Sequence, residues 1–218
     1  PESAFGGVIA VNRTVDENFA TKLINNQFVE VIIAPDYDPG ALEVFKQKNN
    51  IRVISVQGYK KNRIDFQIQS IDGGFLVQED DHKIITTEDL NCVTEKKPNQ
   101  DETADLMFAW IVAKYVKSNA IVFAKNRQTI GIGAGQMSRV SSAKIASLKA
   151  TNANLDTTGT VMASDGFFPF SDSIEMASDN GINCIIQPGG SIKDQDVIDE
   201  ANKKDIAMVF TGMRHFRH

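Results

Sequence analysis

Three segments of the chain combine residue types that suit ligand binding, and the first is glycine-rich. In Gly131–Arg139 (GIGAGQMSR), glycines let the backbone approach a ligand closely, and Ser138 opens a helix whose free N–H groups favour anions. Arg139 adds a forked donor for phosphate or carboxylate. The spacing differs from the dinucleotide fingerprint, because a hairpin pattern comes before it. The alternative interpretation is a glycine-rich strand end with a surface arginine.

The second segment, Ser164–Asp172 (SDGFFPFSD), places three phenylalanines around a proline. Rings in such a cluster line either a core or a pocket for a flat ligand. Asp172 follows at a predicted helix start, where a carboxylate beside an aromatic wall suits the amino-imide edge of a heterocycle such as a pterin. An ordinary carboxylate that stabilises the helix dipole is the alternative for Asp172.

The third segment is the tail, Arg214–His218, which holds two arginines and two histidines around Phe216. This composition predicts either an anion-binding C-terminal segment or a solvated basic terminus. Elsewhere, Asn119 can donate to and accept from a carboxamide, although an asparagine there also suits a cap or turn.

Bulk properties exclude several function classes. A formal net charge of -5, with 42% apolar and 23% charged residues, is typical of a globular protein and predicts no nucleic-acid partner. No apolar run is long enough to span a bilayer, so no membrane partner and a cytoplasmic location are expected. Cys92 and Cys184 lie far apart in apolar runs, which predicts no disulfide framework. We expect no metal-ligand set, and in particular no zinc site, because none of the three histidines lies at metal-ligand spacing from another ligand residue.

Short strands alternate with helices along the chain, which predicts layered α/β units with mixed sheets. Hairpins are predicted at 66–79, around Asp72-Gly73-Gly74, and at 120–133. The polar stretch 93–102 contains Pro98 and is predicted to be a linker. A strand, proline, helix, strand order occurs at 29–56 and again at 183–211, which favours two related units.

Motifs spanning the chain resemble the transformylase region of the AICAR transformylase/IMP cyclohydrolase family. They are SAFGG (3–7), IIAP (32–35), GGFLVQ (73–78), SNAIV (118–122), the glycine-rich segment from Ile130, the Phe-Phe-Pro-Phe segment and the ending RHFRH (214–218). The resemblance implies two cytidine-deaminase-like, three-layer α/β/α units without the deaminase zinc. It places the C-terminal part of the first unit, incomplete at its N-terminus, at 1–92 and the second unit at 103–218.

The resemblance also implies formyl transfer from 10-formyltetrahydrofolate to AICAR ribonucleotide in purine (IMP) biosynthesis, by a homodimer whose site is shared across the interface. A structural potassium ion is implied as well, with no ligands assigned. Residues matching the family's nucleotide contacts are Phe5, Gly6, Glu30, Asn119, Arg214 and His218. Residues matching its folate contacts are Arg139, Val140, Phe167, Pro169 and Asp172.

One departure from the family pattern bears on activity. The family's catalytic Lys-His pair lies upstream of the part matched here, and this sequence contains no Lys-His dipeptide. We therefore expect no catalytic residue within the chain, and no activity from the chain alone. Two alternatives are a non-catalytic nucleotide-binding module and a zinc deaminase-like hydrolase, for which the required Cys/His set is missing.

Overall fold

The computed structural model describes residues 5–58 and 66–217, and these divide into two compact units, Pro1–Asp80 and Asp81–His218. The elements of the first are β1 (Gly7–Ala10), α1 (Glu17–Asn26), β2 (Val29–Ala34), α2 (Pro39–Lys46), β3 (Arg52–Ser55), β4 (Phe66–Ile71) and β5 (Gly74–Glu79). The second unit holds β6 (Asn91–Cys92), α3 (Gln100–Tyr115), β7 (Ile121–Lys125), β8 (Gln128–Gly133), α4 (Arg139–Asn152), β9 (Val161–Ser164), α5 (Asp172–Asp179), β10 (Cys184–Gln187), α6 (Asp194–Lys203) and β11 (Ala207–Phe210). The predicted α/β class with mixed sheets is confirmed.

The first unit contains a parallel sheet in the order β1-β2-β3 and a separate antiparallel hairpin, β4-β5. Helices α1 and α2 pack on one face of the parallel sheet, where Ala20, Ile32 and Phe45 belong to a shared apolar core. The hairpin confirms the prediction made from Asp72-Gly73-Gly74. Its apolar face, which carries Phe66, Ile68, Phe75 and Val77, is exposed.

The second unit is a three-layer α/β/α sandwich around a sheet in the order β6-β11-β10-β9-β7-β8. Strands β9, β10 and β11 are parallel, whereas β7 is antiparallel to both β8 and β9. Alternate residues of each strand face opposite layers. Ile121 and Phe123 pack with α4, α5 and α6, and Val122 and Ala124 pack with α3. No helix in the described part of the chain is long and apolar enough to cross a membrane.

The stretch predicted to be a linker, 93–102, lies inside the second unit. The Val93 N–H donates to the Met208 carbonyl at 3.0 Å, and the Thr94 hydroxyl accepts from the Met208 N–H at 2.7 Å. Gln100 then begins α3, which Asn99 and Glu102 cap reciprocally. The residues are polar because they cap a helix and border a sheet.

Glycines of β8 bring α4 against the sheet. A Cβ at Gly133 would overlap the carbonyl of Ser142, and one at Gly131 would overlap that of Ala146. Both obstacles are helix backbone, which cannot move without shifting α4. The glycine-rich segment therefore serves close strand–helix packing as well as leading into the helix that carries Arg139.

We expect Gly133→Ala to lower the melting temperature of the protein by roughly 10 °C. The added methyl overpacks the β8–α4 contact at a cost of roughly 3 kcal/mol, the upper part of the usual range. Calorimetry of the variant beside Gly74→Ala measures this effect, because a Cβ at Gly74 meets nothing within 4 Å. An equal melting temperature for the two variants would contradict the packing role of Gly133.

Candidate functional site

One edge of the second unit's sheet gathers the ends of five strands. Strands β9, β10 and β11 end there, and β7 begins there, because Ile121 pairs with Ser164. Strand β8 also ends there, since Gly133 pairs with Ile121. The connecting segments at this edge are 118–120, 134–138, 165–171, 188–193 and 211–217. Carboxyl ends of parallel strands are the usual place for ligand sites in such sheets.

Asp165 lies at the centre of this edge and is fully buried. One carboxylate oxygen accepts from the Ser118 hydroxyl at 2.6 Å, and the other lies 3.3 Å from the Arg139 guanidinium. The Asp165 carbonyl accepts from the N–H of His215 at 3.1 Å. Asp165 thus connects the segment before β7 and the start of α4 through its carboxylate, and the tail through its backbone carbonyl.

Arg139 begins α4 directly after its N-cap, Ser138, whose hydroxyl accepts from the Ser141 N–H at 3.1 Å. Its side chain is 17% exposed, and one terminal nitrogen is held by Asp165. Its buried Nε has no partner among the described residues. Because buried donors are normally satisfied, this N–H is available to a bound group. Val140 follows in the same helical turn and is half-buried.

Asn119 is fixed between the glycine-rich loop and α4. Its Nδ2 donates to the Gln136 carbonyl at 2.8 Å, and its own carbonyl accepts from the Ser142 hydroxyl at 2.7 Å. The side-chain nitrogen of Asn119 is therefore used within the fold, as expected for a turn residue. Its Oδ1 has no hydrogen bond within the described part of the chain. The side chain can therefore still accept from a ligand.

The three phenylalanines of the second segment separate into core and surface. Phe168 is fully buried, and its N–H donates to Gln187 Oε1 at 3.0 Å. Phe167 is half-buried, whereas Pro169 and Phe170 are exposed. Phe168 therefore anchors the segment, and the other rings form the wall at the sheet edge.

Asp172 is the first residue of α5 and is exposed. Among the described residues its carboxylate has no hydrogen-bond or ion-pair partner, and it does not cap the helix. A carboxylate in the first helical turn also stabilises the helix dipole. The arrangement is compatible with both interpretations made from the sequence.

The tail reaches the same edge. The Arg214 guanidinium lies over the Phe167 ring, 4.8 Å from the centroid, in a cation–π contact. Phe216 packs against Gly166, with Cε1 3.1 Å from the position that a Cβ would occupy. The basic end is therefore docked rather than free, while His218 lies outside the described residues.

The three site residues predicted in the first unit lie together at the amino ends of its strands. Phe5 stacks on Phe28 with centroids 4.8 Å apart, and Glu30 is the second residue of β2. Gly6 has φ 75°, a backbone conformation that favours glycine, and Glu30 Oε1 lies 2.9 Å from the position that a Cβ there would occupy. Phe5 is strongly exposed.

Sequence reasoning did not single out Asp165, Ser118 or His215 as organising residues. The available signal was a carboxylate directly after the buried strand VMAS, at the carboxyl end where ligand sites form. Within the described ranges, no group of three or more His, Cys, Asp or Glu side chains could hold a metal ion.

Comparisons with known proteins agree with the resemblance at the family level. A family model described as AICARFT/IMPCHase bienzyme matches residues 1–149. Proteins named bifunctional purine biosynthesis protein PurH, from Xanthomonas euvesicatoria pv. vesicatoria and Xanthomonas campestris pv. campestris, are 54% identical over 219 residues. The match covers 100% of this chain and 41% of each relative, so the chain spans about two fifths of their length. A solved structure titled "Structural genomics, protein ybgI, unknown function" matches at 11% identity with a TM-score of 0.22, over 98% of this chain and 76% of that one, which is too low to carry an argument.

Proposed function

Because the chain belongs to the AICARFT/IMPCHase bienzyme family, we propose that it is the C-terminal part of the AICAR formyltransferase. The full-length protein transfers a formyl group from 10-formyltetrahydrofolate to the exocyclic amine of AICAR, in de novo purine (IMP) biosynthesis. The IMP cyclohydrolase activity, a hydrolase reaction, belongs to a part of the full-length protein outside this chain.

The observation that carries the proposal is the gathering of seven predicted contact residues at one sheet edge of the second unit. They come from four stretches of the chain that are far apart in sequence: Asn119, then Arg139 and Val140, then Phe167, Pro169 and Asp172, and finally Arg214. Scattered surface residues have no reason to converge in this way. Convergence at a carboxyl edge is typical of a ligand site.

The folate side of the proposed site uses an aromatic wall and one carboxylate. Phe167 and Pro169 offer an apolar surface for a flat ring system. Asp172, exposed and without a partner in the described part of the chain, accepts N–H donors of the pterin head. Arg139, held in place by Asp165, offers its unpartnered Nε–H to an acceptor on the ligand.

The nucleotide side is assigned residues of each unit separately. Asn119 and Arg214 in the second unit suit a carboxamide and an anionic group. His218 is assigned to the nucleotide from the resemblance alone. Phe5, Gly6 and Glu30 form a separate cluster in the first unit. In this proposal a homodimer brings the required clusters to one shared site.

The chemistry needs more than positioning. An aromatic amine is a poor nucleophile, so its attack on the formyl carbon needs a proton acceptor and stabilisation of charge on the formyl oxygen. The residues named above hold and orient the two substrates. We assign proton transfer to the family's Lys-His pair, which this sequence does not contain.

A structural potassium ion and a cytoplasmic location remain predictions. No residue is assigned to the ion, and no step of the proposed reaction depends on it.

The test is formyl transfer by the full-length protein, with Asp172→Asn as the informative variant. We expect the substitution to raise the KM for 10-formyltetrahydrofolate roughly ten- to a hundredfold, while the Kd for AICAR stays within about twofold. Losing a charge-assisted hydrogen bond typically costs about 1.5–3 kcal/mol, which gives this range.

The matched control is Asp179→Asn, an exposed carboxylate at the other end of α5. It should leave both constants unchanged. Equal losses for both substrates in Asp172→Asn would indicate a helix-stabilising role for this carboxylate. Absence of any AICAR-dependent formyl transfer in the wild-type protein would reject the proposed function.

A further inference from the structure

His215 is buried in a segment that has no helix or strand of its own. Its side chain is 1% exposed, and its Nδ1 lies 2.5 Å from a carboxylate oxygen of Asp81. The imidazole also packs against the Trp110 ring of α3, with centroids 5.0 Å apart. A polar ring in an apolar setting needs its hydrogen bond, so Asp81 holds His215 in place.

Asp81 is itself fixed from a second direction. Its other carboxylate oxygen lies 3.4 Å from Lys114 Nζ, on a side chain that is 7% exposed. The same ammonium donates to the Lys83 carbonyl at 2.8 Å. One carboxylate thus joins the tail, through His215, to α3 and to residues 81–83. The proposed substrate contacts do not include this cluster.

The tail backbone is held on both sides of His215. The His215 N–H donates to the Asp165 carbonyl at 3.1 Å, and the Arg217 N–H donates to the Ser118 hydroxyl at 3.0 Å. The Ser118 N–H in turn donates to the Arg217 carbonyl at 2.9 Å. The register of the tail along the sheet edge is therefore defined residue by residue.

This register decides which side chains face the site. Between the backbone contacts of His215 and Arg217, Phe216 packs against Gly166. Arg214, directly before His215, lies over the Phe167 ring. Without the hydrogen bond of His215 to Asp81, the tail loses the buried side-chain contact that fixes which of its residues face the sheet edge. Arg214 is exposed, so its cation–π contact alone cannot hold the segment.

We propose that His215 is a positioning residue, which through Asp81 holds the C-terminal tail in the register that presents Arg214 and Phe216 at the sheet edge. The consequence for nucleotide binding rests on the proposed function. The anchoring itself does not, because it follows from contacts within the second unit.

The experiment is hydrogen exchange by mass spectrometry on the full-length protein, together with calorimetric titration of AICAR. His215→Leu fills the buried space with an apolar side chain but removes the ring nitrogens, and His215→Asn restores a donor close to the position of Nδ1. The matched control is His82→Leu, an exposed histidine beside Asp81.

We expect exchange of the tail amides to accelerate about tenfold or more in His215→Leu, with peptides of β7 and β9 unchanged. His215→Asn should recover most of the protection, and His82→Leu should match the wild type. AICAR affinity should fall roughly tenfold in His215→Leu and recover in His215→Asn.

Unchanged tail exchange in His215→Leu would overturn the proposal. So would equal acceleration in every peptide, because His215 would then be an ordinary core residue. Faster tail exchange with unchanged AICAR affinity would support the anchor and reject the proposed role of the tail in nucleotide binding.

Discussion

Replacing Asp165 by alanine is expected to reduce formyl transfer by the full-length protein at least a hundredfold. The substitution leaves the Arg139 guanidinium, whose side chain is 17% exposed, without its only ion-pair partner in the described ranges. It also removes the acceptor of the Ser118 hydroxyl. Removing one partner of a buried pair costs about 3–5 kcal/mol, and a displacement of about 1 Å at a reacting site can lower the rate a hundredfold.

Asp165→Asn separates positioning from folding. Its amide oxygen can still accept from Ser118, but it cannot neutralise Arg139. We expect this variant to lower the melting temperature less than Asp165→Ala does, because the Ser118 hydrogen bond is kept, and to lose folate affinity more than AICAR affinity. The exposed Asp199→Ala in α6 is the control and should behave as the wild type. Wild-type kinetics in Asp165→Asn would show that the ion pair does not organise the site.

The second large effect concerns the chain by itself. We expect the 218-residue chain to show no measurable formylation of AICAR and the full-length protein to catalyse it. In the proposed function the residues of this chain position substrates, but proton transfer from the amine stays unassisted without the Lys-His pair. An assay of tetrahydrofolate release on both purified proteins, with masses confirmed, measures the difference.

Complementation provides the control for this comparison. If the Lys-His pair of the full-length protein supplies the proton transfer, mixing this chain with the part that carries the pair should restore some turnover. Robust turnover by the 218-residue chain alone would contradict the assignment of proton transfer to residues outside it. An inactive full-length protein that still binds AICAR would instead favour the non-catalytic nucleotide-binding module.

Much of the fold could be predicted from local patterns. Both hairpins follow from turn residues between β-rich runs, and the structure confirms them. At the second turn, Asn126 and Arg127 adopt positive φ, and both backbone N–H groups donate to the Asp105 carboxylate of α3. The strand, proline, helix, strand order occurs twice in the sequence, and in both places the two strands pair in parallel, as β2–β3 and β10–β11.

Long-range pairing was harder to predict. Strand β6 has only two residues, Asn91 and Cys92, and its pairing with β11 depends on residues more than a hundred positions away. The polar run that follows resembles a linker, because capping residues such as Asn99 and Glu102 have the same composition as a loop. Composition alone cannot separate these cases.

The candidate site could be predicted as a set of residues but not as an arrangement. Arg139 and Asp172 stand out by type and position, because each belongs to a helix start. Asp165 and His215 do not stand out, since their roles depend on burial and on contacts between distant segments. Only the sheet order brings Ser118, Asp165 and the tail together.

We propose that this chain supplies a substrate-binding edge of an AICAR formyltransferase. A crystal structure of the full-length protein with AICAR and a non-reactive analogue of 10-formyltetrahydrofolate tests this proposal. We predict that the folate analogue lies along Phe167 with its pterin head at Asp172, and that AICAR contacts Asn119 and Arg214. Both ligands bound away from the carboxyl edge of the sheet that contains β9, β10 and β11 would contradict the claim.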